Sequence, residues 1–458
     1  MTERLKFQVG IIGLGRIGSA FARMLARAGE PVILFDSSDN FKIDDVILDN
    51  CRLATSIEDF FEALARGGVL ILCLPAGDAI DRILSRILLS GHQLSTVIDT
   101  GNSFYEDSIR RCNYLGVKEI NFLDLGVSGG VHIYDTGPSL MLGGIQKNAD
   151  DLANILAALS LDYQASSVKV KSIGPVGSGH FVKMVHNGIE YAFLQLWAEF
   201  VHFHSNVCGL GFSEVAEKVR LSRDKTTSGY ISEITSIILD ERDSDGEPLL
   251  HKISDFCGAN GTGALTSITA AKYGLPCNVL STAVECRQLQ GYRMTIRREN
   301  FLDNNPGQLR VAGDVELSEA LRLAYACAFT QGLQIIKAVS SAKGWNLNLR
   351  QVLDIWSRVS IIRGGWIDEL LSRSASVTFD VGDTLDNYLV VLQSLRKVVS
   401  YAISHGYSMP CHSAALSFLD SILMEKTWIP LVAAQRDYFG GHGFQMSGSS
   451  ESQRWNWA

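Results

Sequence analysis

Short apolar runs alternate with amphipathic segments in the first part of the chain. The runs that predict strands are residues 7–12, 31–35, 69–74, 97–99 and 121–125, with helical or loop segments between them. Apolar strands that alternate with helices form a parallel sheet that is covered on both faces. The pattern therefore predicts an α/β fold for this part of the chain.

Long amphipathic segments predominate after about Gly177. Those with a helical period are residues 181–203, 229–239, 317–339 and 384–405, and they predict a mainly α-helical second domain. From about Leu431 the chain runs into glycine and serine, which indicates an extended C-terminal tail. We therefore expect an α/β domain at residues 1–178, an all-helical domain at 179–430 and a tail at 431–458.

A glycine motif follows the first predicted strand and precedes a helix predicted at residues 19–28. The motif reads Gly13-Leu14-Gly15-Arg16-Ile17-Gly18. Gly13 permits a tight turn, Gly15 lets the backbone approach a pyrophosphate, and Gly18 lets helix and strand pack closely. The pyrophosphate would then lie at the N-terminus of the helix. Strand, motif and helix together predict a Rossmann-type dinucleotide site.

The residues after the second predicted strand indicate which dinucleotide binds. Asp36 lies 18 positions beyond Gly18, where its carboxylate can accept hydrogen bonds from both ribose hydroxyl groups. Its charge would repel a 2′-phosphate, and the following Ser37 and Ser38 supply no cation to offset that repulsion. The sequence therefore favours NAD over NADP.

Four polar residues share one face of the helix predicted at residues 181–203. At about 100° per residue, Lys183, His186, Asn187 and Glu190 form a single stripe. The helix is otherwise apolar, so these side chains must be paired, solvated in a cleft or functional. Only a functional cleft accounts for all four together.

Composition limits the classes of function. The chain has 458 residues, of which 46% are hydrophobic and 20% charged, as in soluble globular proteins with two or three domains. Its net charge of -8 and lack of Lys/Arg runs argue against a nucleic-acid partner. No signal peptide or membrane span is evident, and nine cysteines without paired motifs favour free thiols in the cytoplasm.

Five further sequence motifs occur along the chain in addition to the glycine motif. They are Ile98-Asp99-Thr100-Gly101-Asn102-Ser103, Gly126-Val127-Ser128-Gly129-Gly130, Gly137-Pro138-Ser139-Leu140-Met141, the helix from His180 to Tyr191, and Arg436-Asp437-Tyr438-Phe439-Gly440-Gly441-His442. With them the chain resembles the decarboxylating 6-phosphogluconate dehydrogenases over nearly its whole length.

The resemblance implies a set of site residues, with Lys183 and Glu190 as the catalytic pair. The substrate residues it implies are Asn102, Ser128, Gly129, Gly130, His186, Asn187, Tyr191, Thr266, Arg287, Arg436 and His442. The cofactor residues are Gly13, Leu14, Gly15, Arg16, Ile17, Gly18, Asp36, Leu74, Pro75, Ala76 and Asn102. A homodimer is also implied, in which the tail of one subunit completes the active site of the other.

The resemblance places the oxidised hydroxyl group at C3 of a sugar acid. Lys183, its pKa lowered by burial, is the expected base for the hydroxyl proton. The 3-keto acid then loses its carboxylate because the β-carbonyl accepts the electrons, and protonated Lys183 stabilises the enolate without need of a metal. Glu190, with a raised pKa, is expected to protonate the enediol carbon.

Two strings depart from the pattern of the family. The family usually has Asn-Arg-Thr after the second strand to hold the 2′-phosphate of NADP, where this chain has Asp36-Ser37-Ser38. The family usually has Gly-Thr-Gly-Lys-Trp-Thr, where this chain reads Gly261-Thr262-Gly263-Ala264-Leu265-Thr266. Ala264 thus replaces a lysine that helps to hold the substrate phosphate.

Three alternatives to 6-phosphogluconate oxidation stay open. A β-hydroxyacid dehydrogenase shares the Ser-Gly-Gly loop and the Lys-x-x-x-Asn helix, but such chains are shorter and lack Glu190-Tyr191 and the tail signature. A non-catalytic binding protein would have no need of both Lys183 and Glu190. The third is the same chemistry on a different distal anion, notably 6-deoxy-6-sulfogluconate, which the change at Ala264 favours.

Overall fold

The computed structural model describes residues 7–38, 50–130, 133–144, 149–160, 170–222, 226–254, 256–258, 261–289, 313–373 and 379–457. Eight strands form one sheet: β1 (Phe7–Ile12), β2 (Val32–Phe35), β3 (Cys51–Leu53), β4 (Leu64–Leu72), β5 (Leu94–Asp99), β6 (Asn121–Ser128), β7 (Ser139–Gly143) and β8 (Ser172–Gly174). Their order is β3-β2-β1-β4-β5-β6-β7-β8. The pairs are parallel except for β6 and β7, which run antiparallel, so the predicted parallel sheet is confirmed up to β6.

Six helices accompany the sheet: α1 (Arg16–Arg27), α2 (Ile57–Ala63), α3 (Asp78–Ser90), α4 (Tyr105–Gly116), α5 (Ile133–Thr136) and α6 (Ala149–Leu159). Helix α1 begins three residues before its predicted start, directly after the glycine motif. Gly13 has a φ of +95°, and a Cβ on Gly18 would collide with the Gly13 carbonyl oxygen. The predicted tight turn and close helix–strand packing are therefore both present.

The rest of the described chain is mainly helical. Its helices are α7 (Ser178–His202), α8 (Phe212–Leu221), α9 (Tyr230–Asp240), α10 (Thr262–Lys272), α11 (Asn278–Gln288), α12 (Asp314–Lys343), α13 (Leu349–Val359), α14 (Gly365–Ser372), α15 (Val381–Leu385), α16 (Leu392–Ser404), α17 (Pro410–Leu423) and α18 (Ile429–Gly440). The helix predicted at residues 384–405 is interrupted by a 3₁₀ turn at Asp386–Val391. None of the described helices is long and apolar enough to cross a membrane.

Helix α7 joins the two parts of the structure. Its first half packs against β6 and β7, and its second half lies in the helical core beside α12. Phe193 of α7 stacks on Tyr325 of α12, with 3.8 Å between the ring centroids. Because both ends of α7 are anchored, the polar stripe on its first half has a fixed position relative to the sheet.

The tail differs from the predicted extended segment. It begins as helix α18, with Pro430 in the first turn, and this helix ends at Gly441 in a left-handed conformation. Only afterwards does the glycine- and serine-rich part form a two-stranded hairpin, β9 (Phe444–Gln445) with β10 (Ser452–Gln453). The prediction gave the Gly/Ser-rich end too much weight, since glycine and serine become frequent only beyond the helix.

Candidate active site

The polar stripe of α7 is assembled around one imidazole. His186 Nδ1 lies 3.5 Å from Lys183 Nζ, 3.2 Å from Asn187 Oδ1 and 3.7 Å from Glu190 Oε2. Lys183, His186 and Asn187 are buried, and the side chain of Glu190 is 22% exposed. The structure therefore brings the four predicted residues together on one face of α7.

The opposite nitrogen of the same imidazole fixes its orientation. His186 Nε2 lies 3.0 Å from Ser128 Oγ at the end of β6, and the ring meets Trp356 edge to face. Burial, with the nearby charge of Lys183, lowers the pKa of His186 well below 6.5. A neutral His186 can accept a hydrogen bond on one side and donate on the other.

Lys183 and Glu190 have pKa values shifted toward each other. Burial lowers the pKa of Lys183 to about 8, although Glu190 opposes that shift. Burial also raises the pKa of Glu190, against the opposing charges of Lys183 and Arg287. An amine with a pKa of about 8 thus lies two helical turns from a carboxyl group with a raised pKa, and both shifts are in the direction that acid–base chemistry requires.

Close packing of α7 on β6 causes this burial. A Cβ on Gly126 would lie 2.5 Å from Lys183 Cβ, so only glycine allows the helix to approach. The buried Asp124 carboxylate accepts hydrogen bonds from the N–H groups of Gly177 and His180, each at 2.7 Å. Asp124 therefore caps α7 from a neighbouring strand, a role that the sequence analysis missed; an acid within an apolar strand was the available signal.

The glycine motif fits the pyrophosphate of a dinucleotide. No side chain caps α1 at Gly15, its first turn has no acidic residue, and a Cβ on Gly15 would meet nothing within 4 Å. The first N–H groups of α1, at Arg16 and Ile17, therefore border open space where an anion can bind.

Asp36 lies against the same motif. Its carboxylate accepts hydrogen bonds from the N–H groups of Leu14 at 2.6 Å and Ser38 at 2.8 Å. Partial burial opposes ionisation, but these hydrogen bonds outweigh it and lower the pKa of Asp36. The carboxylate is thus anionic and held beside the glycine motif, where the ribose of a dinucleotide would lie.

Two further loops border the cofactor side of the cleft. Leu74, Pro75 and Ala76 follow β4, and the exposed Asn102 follows the neighbouring strand β5. The loops touch, because a Cβ on Gly101 would lie 2.8 Å from the Leu74 carbonyl oxygen. Gly129 and Gly130 follow the next strand, β6, so all these predicted residues meet at the carboxyl edge of the sheet.

Helices α10 and α11 supply the wall beside Glu190. The Arg287 guanidinium carbon lies 3.4 Å from the centroid of the Tyr191 ring, and Asn187 Nδ2 donates to Thr262 Oγ1 at 3.0 Å. Thr266 differs from the predicted arrangement: it is fully buried, and its hydroxyl group donates to the Met184 carbonyl oxygen at 2.8 Å. Thr262, rather than Thr266, is the threonine that contacts the polar stripe.

The two predicted tail residues are not assembled with the others. Arg436 and His442 are exposed, and the His442 ring packs on Phe439 within the tail itself. Within the described ranges, no hydrogen bond or ion pair joins either of them to α7, and no cluster of three or more His, Cys, Asp or Glu side chains is placed to hold a metal ion.

Comparisons with known proteins agree with this geometry. The NAD binding domain of 6-phosphogluconate dehydrogenase matches residues 8–170, and the C-terminal domain of 6-phosphogluconate dehydrogenase matches residues 179–457. The decarboxylating 6-phosphogluconate dehydrogenases of Staphylococcus epidermidis and Mus musculus are each 31% identical to the chain. The first match covers 96% of both proteins, and the second covers 96% of this chain and 94% of the mouse protein.

A solved structure is also similar over the full length. Plasmodium falciparum 6-phosphogluconate dehydrogenase, described in its apo form, with its cofactor NADP+ and with its substrate 6-phosphogluconate, superposes with a TM-score of 0.86. The two sequences are 28% identical, and the match covers 98% of this chain and 100% of the other. The protein therefore belongs to the 6-phosphogluconate dehydrogenase family and is a nicotinamide-dependent, decarboxylating dehydrogenase of a sugar acid.

Proposed function

We propose that the protein uses NAD to oxidise and decarboxylate a 6-substituted gluconate, by default 6-phosphogluconate to ribulose 5-phosphate, CO2 and NADH. The observation that carries this proposal is the buried Lys183 amine with its pKa near 8, two turns from a carboxyl group whose pKa is raised. The alternative, a β-hydroxyacid dehydrogenase reaction without decarboxylation, has no use for the carboxyl group of Glu190.

Lys183 is the proposed base, and its proton is used again after the oxidation. The neutral amine would take the proton of the C3 hydroxyl group as hydride leaves C3, and an NAD molecule held at the glycine motif would supply the hydride acceptor. Lys183 then donates to the oxygen at C3, where the electrons collect as the C1 carboxylate departs as CO2. Asn102, His186 and Asn187 would orient the hydroxyl groups, and Ser128 with Gly129 and Gly130 would hold the carboxylate.

Glu190 is the proposed acid for the last proton transfer. The enediol left by decarboxylation needs a proton at the carbon that was C2 of the acid, and this carbon becomes C1 of the ketose product. Glu190 has a raised pKa and 22% of its side chain exposed, so it can donate this proton and recover it from solvent.

The pH dependence of catalysis tests these roles. Because Lys183 must be neutral, we expect kcat/KM to rise with pH and to level off above about 8. Glu190→Gln should lower turnover by about 10²–10⁴-fold. It should also move the acidic limb to lower pH, because the Glu190 carboxylate raises the pKa of Lys183. NADH formation measured across pH is the assay, and Lys183→Met is the inactive control. Wild-type turnover in Lys183→Met would refute the mechanism.

We propose that Asp36 selects NAD over NADP. Its carboxylate is ionised and held by Leu14 and Ser38, and neither Ser37 nor Ser38 offers a cation to a 2′-phosphate. Holding the anion through two backbone N–H groups keeps it at the ribose position, so a phosphate there would meet a fixed negative charge.

Steady-state kinetics with both cofactors measures this preference. We expect kcat/KM to favour NAD by at least about tenfold, or about 1.4 kcal/mol. Asp36→Ser combined with Ser37→Arg should shift the preference toward NADP, and Asp36→Asn separates charge from size. Equal efficiency of the wild-type enzyme with NAD and NADP would rule out the role of Asp36.

We propose that the protein is a homodimer in which the tail of each subunit completes the active site of the other. Arg436 and His442 are exposed and lie apart from α7 in their own subunit. The tail also exposes large apolar side chains, among them Leu431, Tyr438 and Phe439, at 64%, 69% and 74%. Covering such a surface with a second subunit would bury it and bring Arg436 and His442 to the partner's substrate.

Subunit mixing distinguishes exchange from a site built within one chain. Lys183→Met and Arg436→Ala homodimers should each lose activity, as should a chain truncated before Leu431. If the tail acts on the partner, each mixed dimer regains one intact site, and an equal mixture recovers about one quarter of wild-type activity. Without exchange of the tail, every site in the mixed dimer carries a defect. An absence of recovery despite verified subunit exchange would contradict the proposal.

We propose that the distal group of the substrate is an anion, a phosphate by default and a sulfonate as the alternative. A phosphate carries about -1.5 to -2 charges near neutrality. Ala264 provides no amine, the Thr266 hydroxyl group is taken by the Met184 carbonyl, and Arg287 lies over the Tyr191 ring of the same subunit. The loss of one cation is matched by a singly charged sulfonate, as in 6-deoxy-6-sulfogluconate, whereas 6-phosphogluconate is the default for the family.

A comparison of 6-phosphogluconate, 6-deoxy-6-sulfogluconate and gluconate resolves this choice. We expect both anions to exceed gluconate in kcat/KM, because Arg287 and Arg436 favour a charged terminus. Ala264→Lys should improve phosphogluconate more than sulfogluconate, since the added amine meets the larger charge; Ala264→Met is the uncharged control. Equal CO2 and NADH yields exclude a reaction without decarboxylation. Gluconate as the preferred substrate would overturn the distal-anion assignment.

A further inference from the structure

Arg111 of α4 is a fully buried arginine beneath the cofactor side of the cleft. Its guanidinium group donates to Ser103 Oγ at 2.8 Å, to Asp99 Oδ2 at 3.2 Å and to the Gly77 carbonyl oxygen at 3.1 Å. It also donates to both carboxylate oxygens of Asp81, at 2.8 and 3.4 Å. All the nitrogen atoms of the group are therefore used within the protein.

Two of these acceptors, Gly77 and Ser103, belong to different loops. Gly77 closes the loop of Leu74, Pro75 and Ala76 after β4, and Ser103 closes the loop that carries Asn102 after β5. We propose that Arg111 is a positioning residue that fixes the separation of these two loops and thereby places the nicotinamide ring for hydride transfer. The inference rests on the proposed use of both loops by the cofactor.

The same network reaches the catalytic helix. Asp99 accepts from the N–H of Gly101 at 2.9 Å and from Ser103 Oγ at 2.8 Å, so its carboxylate shapes the Asn102 loop. The Asp99 carbonyl oxygen accepts from His180 Nε2 at 3.1 Å, one turn before Lys183 on α7. The Asn102 loop is thus held by Arg111 through Ser103, and by α7 through His180 and the Asp99 carbonyl oxygen. A planar group with several donors can span both loops, whereas a lysine has one nitrogen to offer.

The neighbouring Arg110 provides a matched control. It also donates to Asp81, at 2.9 Å, but its side chain is 53% exposed and its other partner is Asp107 on the same helix. Arg110→Gln removes an ion pair to the same carboxylate without touching either loop. Ser103→Ala is a second probe. It removes the Arg111 contact to the Asn102 loop together with the hydrogen bond from Ser103 Oγ to Asp99, while Arg111 and Asp99 stay paired with each other.

NADH binding and the primary deuterium isotope effect on kcat test the role of Arg111. In Arg111→Lys we expect the Kd for NADH to rise by about tenfold and kcat to fall by up to about 10²-fold, with the KM of the sugar acid little changed. The isotope effect should increase with an acid deuterated at C3, because hydride transfer becomes slower than the other steps. Ser103→Ala should show smaller changes of the same direction, and Arg110→Gln should match the wild type.

The isotope effect does not depend on the fraction of folded enzyme, so loss of stability alone would not change it. Wild-type values for the Kd, the KM of NAD and the isotope effect in both Arg111→Lys and Ser103→Ala would overturn the proposal. If Arg111→Lys does not fold, Ser103→Ala decides the question. If the wild-type enzyme oxidises none of the three acids, the proposed function fails, whereas NADH binding still tests Arg111.

Discussion

The active site depends on the close approach of α7 to the end of β6. Gly126 lets the helix come near enough to bury the Lys183 amine, and Asp124 holds the N-terminus of the helix in that position. Removal from water penalises the charged form of an amine, which is why the pKa of Lys183 falls to about 8. A side chain at Gly126 would separate helix from strand and return water to the amine. Backbone packing therefore sets the basicity of the site.

Helix α7 also connects the Asn102 loop to the helical core. Its first turn is tied to the Asn102 loop through His180 and the Asp99 carbonyl, whereas its later turns are fixed in the helical core through contacts such as Phe193 on Tyr325. Lys183 and the Asn102 loop are thus parts of one arrangement. In the proposed reaction, hydride leaves a carbon while its hydroxyl group loses a proton, and this requires such mutual placement because small displacements of reacting groups are costly.

The two ends of the site differ in how many polar groups one subunit supplies. Around Lys183, the polar stripe, Ser128 and the loop of Gly129 and Gly130 are all assembled. At the far end, Arg287 on Tyr191 remains, whereas Ala264 offers no charge and the Thr266 hydroxyl group is taken by backbone. This difference between the two ends is the reason for the proposal that the reaction is that of the family while the distal group of the substrate differs.

The sequence by itself determined the strand–helix alternation, the glycine motif and the polar stripe of α7, because these depend on local periodicity and on residues close together in the chain. It also predicted that Lys183 and Glu190 share one helix face and that an acid, Asp36, follows the second strand. Only the tertiary structure revealed the cap from Asp124 and the buried bonds of Arg111, since their partners are far apart in sequence or lie in separate loops. The structure also revealed that the Thr266 hydroxyl group donates to a carbonyl of another helix. It likewise revealed helix α18 in the tail, which the local composition did not predict. Side-chain partners of this kind follow from how elements pack, which a one-dimensional pattern does not contain.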